Sequence, residues 1–428
     1  MKTVKFYTLG CKVNQYETQE IRECFQGAGF RQVNNGRKAD IYVINTCTVT
    51  QRADSESLNL IRRSKRENPK AKIIVTGCLA ELDKDKIKAG GGISLIVRNR
   101  DKNRIIQLFN ENNELNENNE LRDKGISDFF GHTRAFLKIQ DGCNNFCAYC
   151  KVPLVRGASR SRPLNEIIEE SRRLVENNFK EIVLSGICLG AYGRDLSRKV
   201  NLVDVIEALE DIEGLLRIRL SSIEAGDISD ELICKIAESQ KLCPHLHIPM
   251  QSGDSQILEK MNRRYSKSDY LNLICKLRSK VPQIAITTDV LVGFPGESEE
   301  NFQNTVTLIK EVLPLKTHIF PYSRREGTTA SSFNGQISPV IIKARIEQLK
   351  EIAGHSSLEY KKQFLNKDMP VLIEGRLREE TDLWEGYSNN YIKAIIRSGL
   401  NLKNKLICAK FKKIANDSVL AISVDSEF

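Results

Sequence analysis

Short apolar runs alternate with amphipathic stretches over the first 110 residues, the pattern of a parallel sheet whose strands are joined by helices. Strands are predicted at Val4–Leu9, Asp40–Asn45, Lys72–Thr76 and Ser94–Val97, with helices at Gln15–Gln26, Asp54–Glu67, Leu79–Lys88 and Lys102–Phe109. In the polar stretch Glu111–Gly125 the pentamer ENNEL occurs twice. Two polar pentamers cannot pack a core, so this stretch reads as a solvated linker and not as a repeat. From Thr133 to about Tyr360 the alternation resumes with longer helices, such as Leu164–Asn177 and Ser266–Lys280. Candidate strands there are Ala135–Gln140, Glu181–Ser185, Arg217–Ser221, His245–Pro249, Ile284–Val292 and His318–Pro321. After Lys361 the texture changes to closely spaced β-type runs, Met369–Gly375, Tyr387–Arg397, Lys405–Ile414 and Leu420–Ser423.

These patterns imply an α/β chain in four parts: a flavodoxin-like domain over 1–110, a polar linker over 111–128, a partial (β/α)6 barrel over 129–360, and a small β-barrel over 361–428. No apolar run approaches the ~20 residues of a membrane span, and Met1–Gly10 lacks the apolar core of a signal peptide. A cytoplasmic location without a membrane partner is expected. At 40% apolar and 28% charged residues, the composition excludes wholesale disorder and collagen. Twelve cysteines in a reducing compartment then call for metal binding or catalysis and not for disulfides. The net charge of +10 divides as +6 over 1–120, +1 over 121–360 and +3 over 361–428. A polyanionic partner is therefore expected on the flanking domains.

The sharpest local signal is Cys143-Asn144-Asn145-Phe146-Cys147-Ala148-Tyr149-Cys150, directly after a predicted strand. Three thiolates at this spacing can wrap one corner of an iron–sulfur cube, whereas structural zinc wants a closed set of four ligands. A four-iron cluster with three protein ligands keeps one iron open, and the spacing is similar to that of radical S-adenosylmethionine enzymes. A second set is dispersed: Cys11, Cys47 and Cys78 each lie just beyond the carboxyl end of a predicted parallel strand. Those ends share one edge of an open sheet, so the three converge there and suggest a second open cluster. Cys24, Cys234, Cys243, Cys275 and Cys408 read as core residues. Cys188, after the strand Glu181–Ser185, stands near the expected active edge.

Together these residues closely resemble the radical S-adenosylmethionine methylthiotransferase family over nearly the whole chain. The matching segments are TLGCKVNQYET, NTCTVT, TGC, CNNFCAYC, PMQSGD, MNRRY, TTDVLVGFPGE and HIFPYSRREGT, with a tail like a TRAM domain. The segment GCKVNQYE resembles the threonylcarbamoyladenosine subgroup (the MtaB type). The isopentenyladenosine branch usually reads GCQMN there, and the branch acting on a ribosomal-protein aspartate usually reads GCPKN. The resemblance implies addition of a methylthio group to carbon 2 of the modified adenosine at tRNA position 37. It implies two 4Fe-4S clusters, one on Cys143, Cys147 and Cys150 and one on Cys11, Cys47 and Cys78. It also implies S-adenosyl-L-methionine as methyl donor and radical source, an electron donor such as flavodoxin or ferredoxin, and a sulfur source.

Cofactor contacts are expected from Tyr149, Ser185, Gly186, Glu224, Gln251, Arg264 and the backbone around Gly293. Where the family commonly has a His, this chain has Cys188. Trp384, Tyr387 and Tyr391, interleaved with Lys393 and Arg397, offer stacking faces for RNA, and Arg62, Arg63, Lys65 and Arg66 a phosphate-seeking patch. His318 and the pair Arg324–Arg325 could face RNA or solvent. The rival readings are a protein-modifying relative, whose basic substrate would favour an acidic tail, and a non-enzymatic zinc-dependent RNA-binding protein.

Overall fold

The computed structural model describes residues 1–34, 36–111, 125–378 and 381–424, so most of the expected linker lies outside the described residues. Strands β1 (Thr3–Thr8), β2 (Arg31–Gln32), β3 (Ile41–Thr46), β4 (Lys72–Gly77) and β5 (Leu95–Ile96) form one parallel sheet in the order β2-β1-β3-β4-β5. This is the flavodoxin-like order, whose switch point lies between β1 and β3. All six residues of β3 are buried, as a strand covered on both faces requires. Helix α1 (Lys12–Gly27) packs Ile21 and Phe25 with Val43 and Ile74, while α2 (Gln51–Glu67) packs Ile61 with Ile44 and Ile73. Alternate strand residues face opposite sides, so the two helices cover opposite faces. The single helix expected over Leu79–Lys88 is two short ones, Cys78–Leu82 and Lys84–Lys88, because the Asp83 carboxylate caps the second by accepting the Lys86 N–H.

The next elements are β6 (Arg134–Lys138), the short antiparallel pair β7 (Gln140–Asp141) and β8 (Arg160–Ser161), then β9 (Glu181–Ser185), β10 (Arg217–Leu220), β11 (His245–His247), β12 (Ala285–Val292) and β13 (Lys316–Pro321). Two parallel three-stranded sheets, β10-β9-β6 and β11-β12-β13, are joined by the bridges Ile218↔Leu242 and Ser222↔His247. The result is a six-stranded partial barrel open between β6 and β13. No helix among the described residues is long and apolar enough to cross a membrane.

Strands β14 (Asp368–Arg376), β15 (Leu383–Ser388), β16 (Lys393–Arg397), β17 (Leu406–Ala415) and β18 (Ser418–Ser423) close a small barrel in the order β14-β15-β16-β18-β17. The run Tyr387–Arg397 is not one strand: a turn with Tyr391 at φ 67° separates β15 from β16, and the Ile392 N–H donates to Ser388 Oγ at 2.9 Å. The aromatics expected to offer RNA faces turn inward. Trp384 is buried, with its indole N–H on the Ser398 carbonyl at 3.0 Å, and Tyr391 stacks on His245 at 4.3 Å with Tyr387 behind it at 5.0 Å.

This inward face seals the lower mouth of the large barrel. Glu181 accepts from Arg219 at 2.7 Å and lies 3.5 Å from Arg217 and 3.8 Å from Arg134. The same arginines donate onward to carbonyls of the small barrel, Arg217 to Tyr387 and Arg219 to Asn389, both at 3.0 Å. Burial alone would raise Glu181, but Arg219, Arg134 and Arg217 together pull it down to about 2.

Removing this carboxylate takes from the buried Arg217 and Arg219 their paired carboxylate and leaves Arg134 with Glu374 alone. Glu181→Gln is expected to destabilise the fold by about 3–5 kcal/mol in denaturant melts at neutral pH. Because the folded value lies below the ordinary 4.5, the stabilisation is complete above that pH and is lost as pH falls from 4.5 toward about 2. The gap between wild type and variant should close over that acid window and stay constant between about pH 6 and 8.

Candidate metal centre

Cys11 precedes α1, Cys47 follows β3 and Cys78 opens the short helix after β4, so all three stand at the carboxyl edge of the sheet beside its switch point. Two glycines bring them together. A Cβ on Gly10 would lie 2.9 Å from the Cys47 sulfur, so the backbone leading into Cys11 passes directly against Cys47. Gly77, at φ +98°, lies so close to β3 that a Cβ would meet the Thr46 carbonyl oxygen at 2.3 Å. Asn14 ties the two loops by donating to the carbonyls of Leu9 (2.7 Å) and Thr46 (3.0 Å). Burial pushes the Cys47 thiol up to about 12, against hydrogen bonds from the backbone of Val49 and Thr48, and burial raises Cys78 as well. Converging thiols that resist ionising alone, with N–H donors aimed at one sulfur and Arg156 and Lys102 acting on another, fit a metal cluster that would hold them as thiolates.

The second triad sits in the loop between β7 and β8. Gln140 clamps its entry, donating to the carbonyls of Asp141 (2.9 Å) and Gly142 (2.8 Å) and accepting the Cys188 N–H (2.8 Å). Ala148 pins the far side, donating to Met261 and accepting from Ala330. Every sulfur of the triad has an N–H donor: Asn145 to Cys143 at 3.4 Å, Arg263 to Cys147 at 3.2 Å, and Val152 to Cys150 at 3.4 Å. Such donors offset thiolate charge in iron–sulfur sites, and the three residues fit a cluster with one open iron. Cys188 is a fourth sulfur here but a different kind of group. Its hydrogen bond lowers Cys143 and correspondingly raises Cys188, which also lies 3.6 Å from Asp227.

The remaining expected contacts divide. Glu224 is half-buried and pairs with the Arg263 guanidinium at 2.6 Å. Asn262 at φ 58° reverses the chain, which leaves Arg264 exposed and sends Arg263 to Cys147. Burial raises Glu224 in spite of Arg263. Tyr149 is half-buried against the apolar group of Ala148, Met261 and Phe294. Ser185 is buried, with its hydroxyl on the Val183 carbonyl at 3.2 Å, while Gly186 leaves room for Gln140, whose Oε1 a Cβ would meet at 2.9 Å. Gln251, at φ 61°, links β12 through the Asp289 carbonyl (2.8 Å) and the Leu291 N–H (2.9 Å). Gly293 is shaped by packing: a Cβ there would strike Ile342 at 2.5 Å. Arg325, expected at the surface, is buried on Asp54 and Thr48 at 2.8 Å each. Cys234 and Cys275, expected in the core, are exposed, because Ile233 and Ile274 take the buried helix positions beside them.

One buried network joins the two triads, and sequence reasoning missed it. Arg156 ends the helix that follows Cys150 and reaches α1, where it donates to Asn14 and to Glu17 (3.1 Å). Glu17 also takes Lys102, from the turn before the helix Ile105–Glu111, and Lys138 of β6 at 3.4 Å. Burial would raise Glu17, yet Arg156, Lys102 and Lys138 hold it well below the usual carboxylate range. Deeper in the lumen His247, Asp289 and His318 bring their ligating atoms within 4.8 Å of one another, with His247 committed to Asp289 at 3.3 Å and to Thr287 at 2.9 Å.

Residues 3–98 match the model of Uncharacterized protein family UPF0004, and residues 137–309 that of the Radical SAM superfamily. The chain is 38% identical to a threonylcarbamoyladenosine tRNA methylthiotransferase MtaB of Bacillus subtilis, over 96% of this chain and 94% of that protein. It is 37% identical to the protein of that name from Thermotoga maritima, over 92% and 91%. A tRNA-2-methylthio-N(6)-dimethylallyladenosine synthase of Clostridium tetani is 35% identical, over 89% and 87%. Among solved structures, the radical S-adenosylmethionine methyltransferase TsrM of Kitasatospora setae matches at TM-score 0.55 and 13% identity, covering 77% of both chains, a likeness of fold.

Anaerobically isolated protein should carry about eight irons and equivalent sulfide per chain, and either Cys143→Ala or Cys47→Ala should remove about half. Iron and acid-labile sulfide assays check this; zinc without sulfide would contradict it.

Proposed function

The chain belongs to the radical S-adenosylmethionine methylthiotransferase family, and on that premise we propose that it methylthiolates carbon 2 of N6-threonylcarbamoyladenosine beside the anticodon of tRNA. The observation that carries this reading is the path from Cys150 through Arg156 and Asn14 to the loops that hold Cys11 and Cys47, which places two three-cysteine sets on one rigid frame. When bound, the clusters with S-adenosylmethionine supply the radical that abstracts hydrogen from an unactivated carbon and the sulfur that is methylated and transferred. The protein's own residues do the rest. Gln140 and Asn145 shape the loop that holds Cys143, Cys147 and Cys150, and Arg263 sets the charge around Cys147. Glu224, half-buried and already engaged by Arg263, is placed to take a hydroxyl or ammonium of the cofactor. Ser185 and Gly293 have structural duties instead, at the strand backbone and under Ile342.

Around the two triads the apolar side chains Phe146, Val49 and Leu154 are 65, 59 and 55% exposed. Exposed apolar rims of this kind suit a splayed base that would cover them and exclude water. His247, Asp289 and His318 line the lumen as hydrogen-bonding groups for the modified nucleoside. The tRNA backbone is assigned to the flanking domains, where Arg62, Arg63 and Arg66 on α2 and Lys403, Lys405, Lys412 and Lys413 on the small barrel are exposed. A cytoplasmic reaction with a flavodoxin- or ferredoxin-type reductant and a separate sulfur source completes the proposal.

Nucleoside mass spectrometry of tRNA from a gene-disrupted strain should show threonylcarbamoyladenosine accumulating without its methylthio derivative. Loss of methylthio only from dimethylallyladenosine would assign the chain to the activity named for the Clostridium tetani relative. Affinity for tRNA should fall steeply with salt, and reversing Arg62 and Arg63 to Glu should flatten the log–log slope by about two. Salt-independent binding would remove the role given to these domains.

A further inference from the structure

The neighbours of β12 fix which of its side chains face the lumen of the large barrel. Ile286, Val290 and Val292 share a core with Phe302, Val306 and Ile309 of the covering helix Glu299–Val312, so the alternate positions point inward. Of these, Ala285 joins the core of the small barrel at the foot, and Leu291 packs with Ala148 and Tyr149 beside Cys150 at the cysteine loop. Thr287 and Asp289 lie between the two. On β11, His245 is stacked on Tyr391 at the foot, so His247, two residues on, points into the lumen one step higher. On β13, His318 is in register with Asp289, and its ring lies 5.8 Å from that of His247. Three adjacent strands thus bring His247, Asp289 and His318 together, with their ligating atoms within 4.8 Å of one another.

The hydrogen bonding of this group is incomplete. His247 lies 3.3 Å from Asp289 through Nε2 and 2.9 Å from the Thr287 hydroxyl through Nδ1. Among the described residues Asp289 has no lysine or arginine partner, and neither ring nitrogen of His318 has a hydrogen-bond partner. All three side chains are half-buried. A His–Asp pair alone accounts for one imidazole and leaves the other idle. We propose that His247, Asp289 and His318 hold a divalent transition metal, with Zn2+ matching the two-imidazole, one-carboxylate donor set that keeps further positions open. Bonds of about 2.0–2.2 Å set tetrahedral ligand atoms roughly 3.3–3.6 Å apart, a separation that His247 and Asp289 already have. Thr287 takes the outer position, where it accepts the His247 Nδ1–H and leaves Nε2 to the metal. The site uses none of the six cysteines and stands whether or not the tRNA reading holds. That reading adds one consequence: a nucleoside in the lumen meets these side chains through oxygen ligands at the metal's open positions.

The test uses the cluster-loaded full chain, dialysed anaerobically against EDTA until only cluster iron remains, and titrates it with Zn2+ by calorimetry. Wild type should take up about one Zn2+ per chain, and D289N and H318F should both lose it at unchanged iron and sulfide content. T287V, which removes only the outer hydroxyl, should weaken binding by about 10–100-fold. X-ray absorption at the zinc edge of wild type should show nitrogen and oxygen neighbours at about 2.0–2.2 Å and no sulfur at about 2.3 Å. Absence of this Zn2+, a shell containing sulfur, or wild-type uptake by D289N and H318F overturns the site. The absorption measurement needs no variant, so a poorly folding variant leaves the proposal testable. Failure of the substrate reading shows separately, in the nucleosides of tRNA, and leaves the zinc result unchanged.

Discussion

Glu17, buried on α1, accepts from Arg156, Lys102 and Lys138, three cations drawn from three different parts of the chain. Burying a carboxylate is unfavourable, and only the three cations together keep it ionised. The network is consequently all-or-none in geometry: each partner must arrive for the others to be satisfied. Because Arg156 continues to Asn14, and Asn14 holds the carbonyls of Leu9 and Thr46, the same contacts orient the loops of both cysteine sets. Reaction between two metal centres and one nucleoside demands positions fixed to a fraction of an ångström, which a buried ionic frame supplies and a flexible interdomain contact would not. A second clamp, Arg325 on Asp54 and Thr48, fastens α2 and the Cys47 loop to the segment after β13, the opposite edge of the open barrel.

The open barrel explains why flanking domains are needed at all. Six strands leave β6 and β13 as unpaired edges, and α1 packs along β6 with Tyr16 on Glu170 at 2.8 Å. Below, the small barrel lends backbone carbonyls to Arg217 and Arg219 and the ring of Tyr391 to His245. Tyr391 and Tyr387 thus close the foot of the large barrel against His245, while Trp384 fills the small barrel's own core. The foot of the large barrel sets Arg134, Arg217 and Arg219 against Glu181 and Glu374, and exposed apolar side chains rim the cysteine loops.

Much of the candidate site is readable along the chain because its logic is local. Cys143, Cys147 and Cys150 are neighbours by covalent spacing, and Cys11, Cys47 and Cys78 share the strand-end position that any open parallel sheet brings to one edge. Failures of the reading cluster where one residue of phase decides the side. Arg263 and Arg264 adjoin, but a turn with Asn262 at positive φ sends only the first to a cysteine. Cys234 and Cys275 each follow a buried isoleucine, and one step along a helix turns the side chain about 100° toward solvent. Tyr391 sits in a tight turn that an alternating β pattern cannot announce.

What the sequence determined by itself is therefore the class of each part, the order of the parts, and the two groups of cysteines, since these depend on periodicity and on covalent or strand-end spacing. Only the tertiary structure decided that Glu17 joins both groups, that Arg156 and Lys102 are its partners, and that Tyr387 and Tyr391 of the small barrel turn toward the large one. Those facts concern which charges meet across long separations in the chain. Pairing of that kind is set by packing geometry and by the cost of leaving a buried charge alone, and neither has a period that can be read from neighbouring residues.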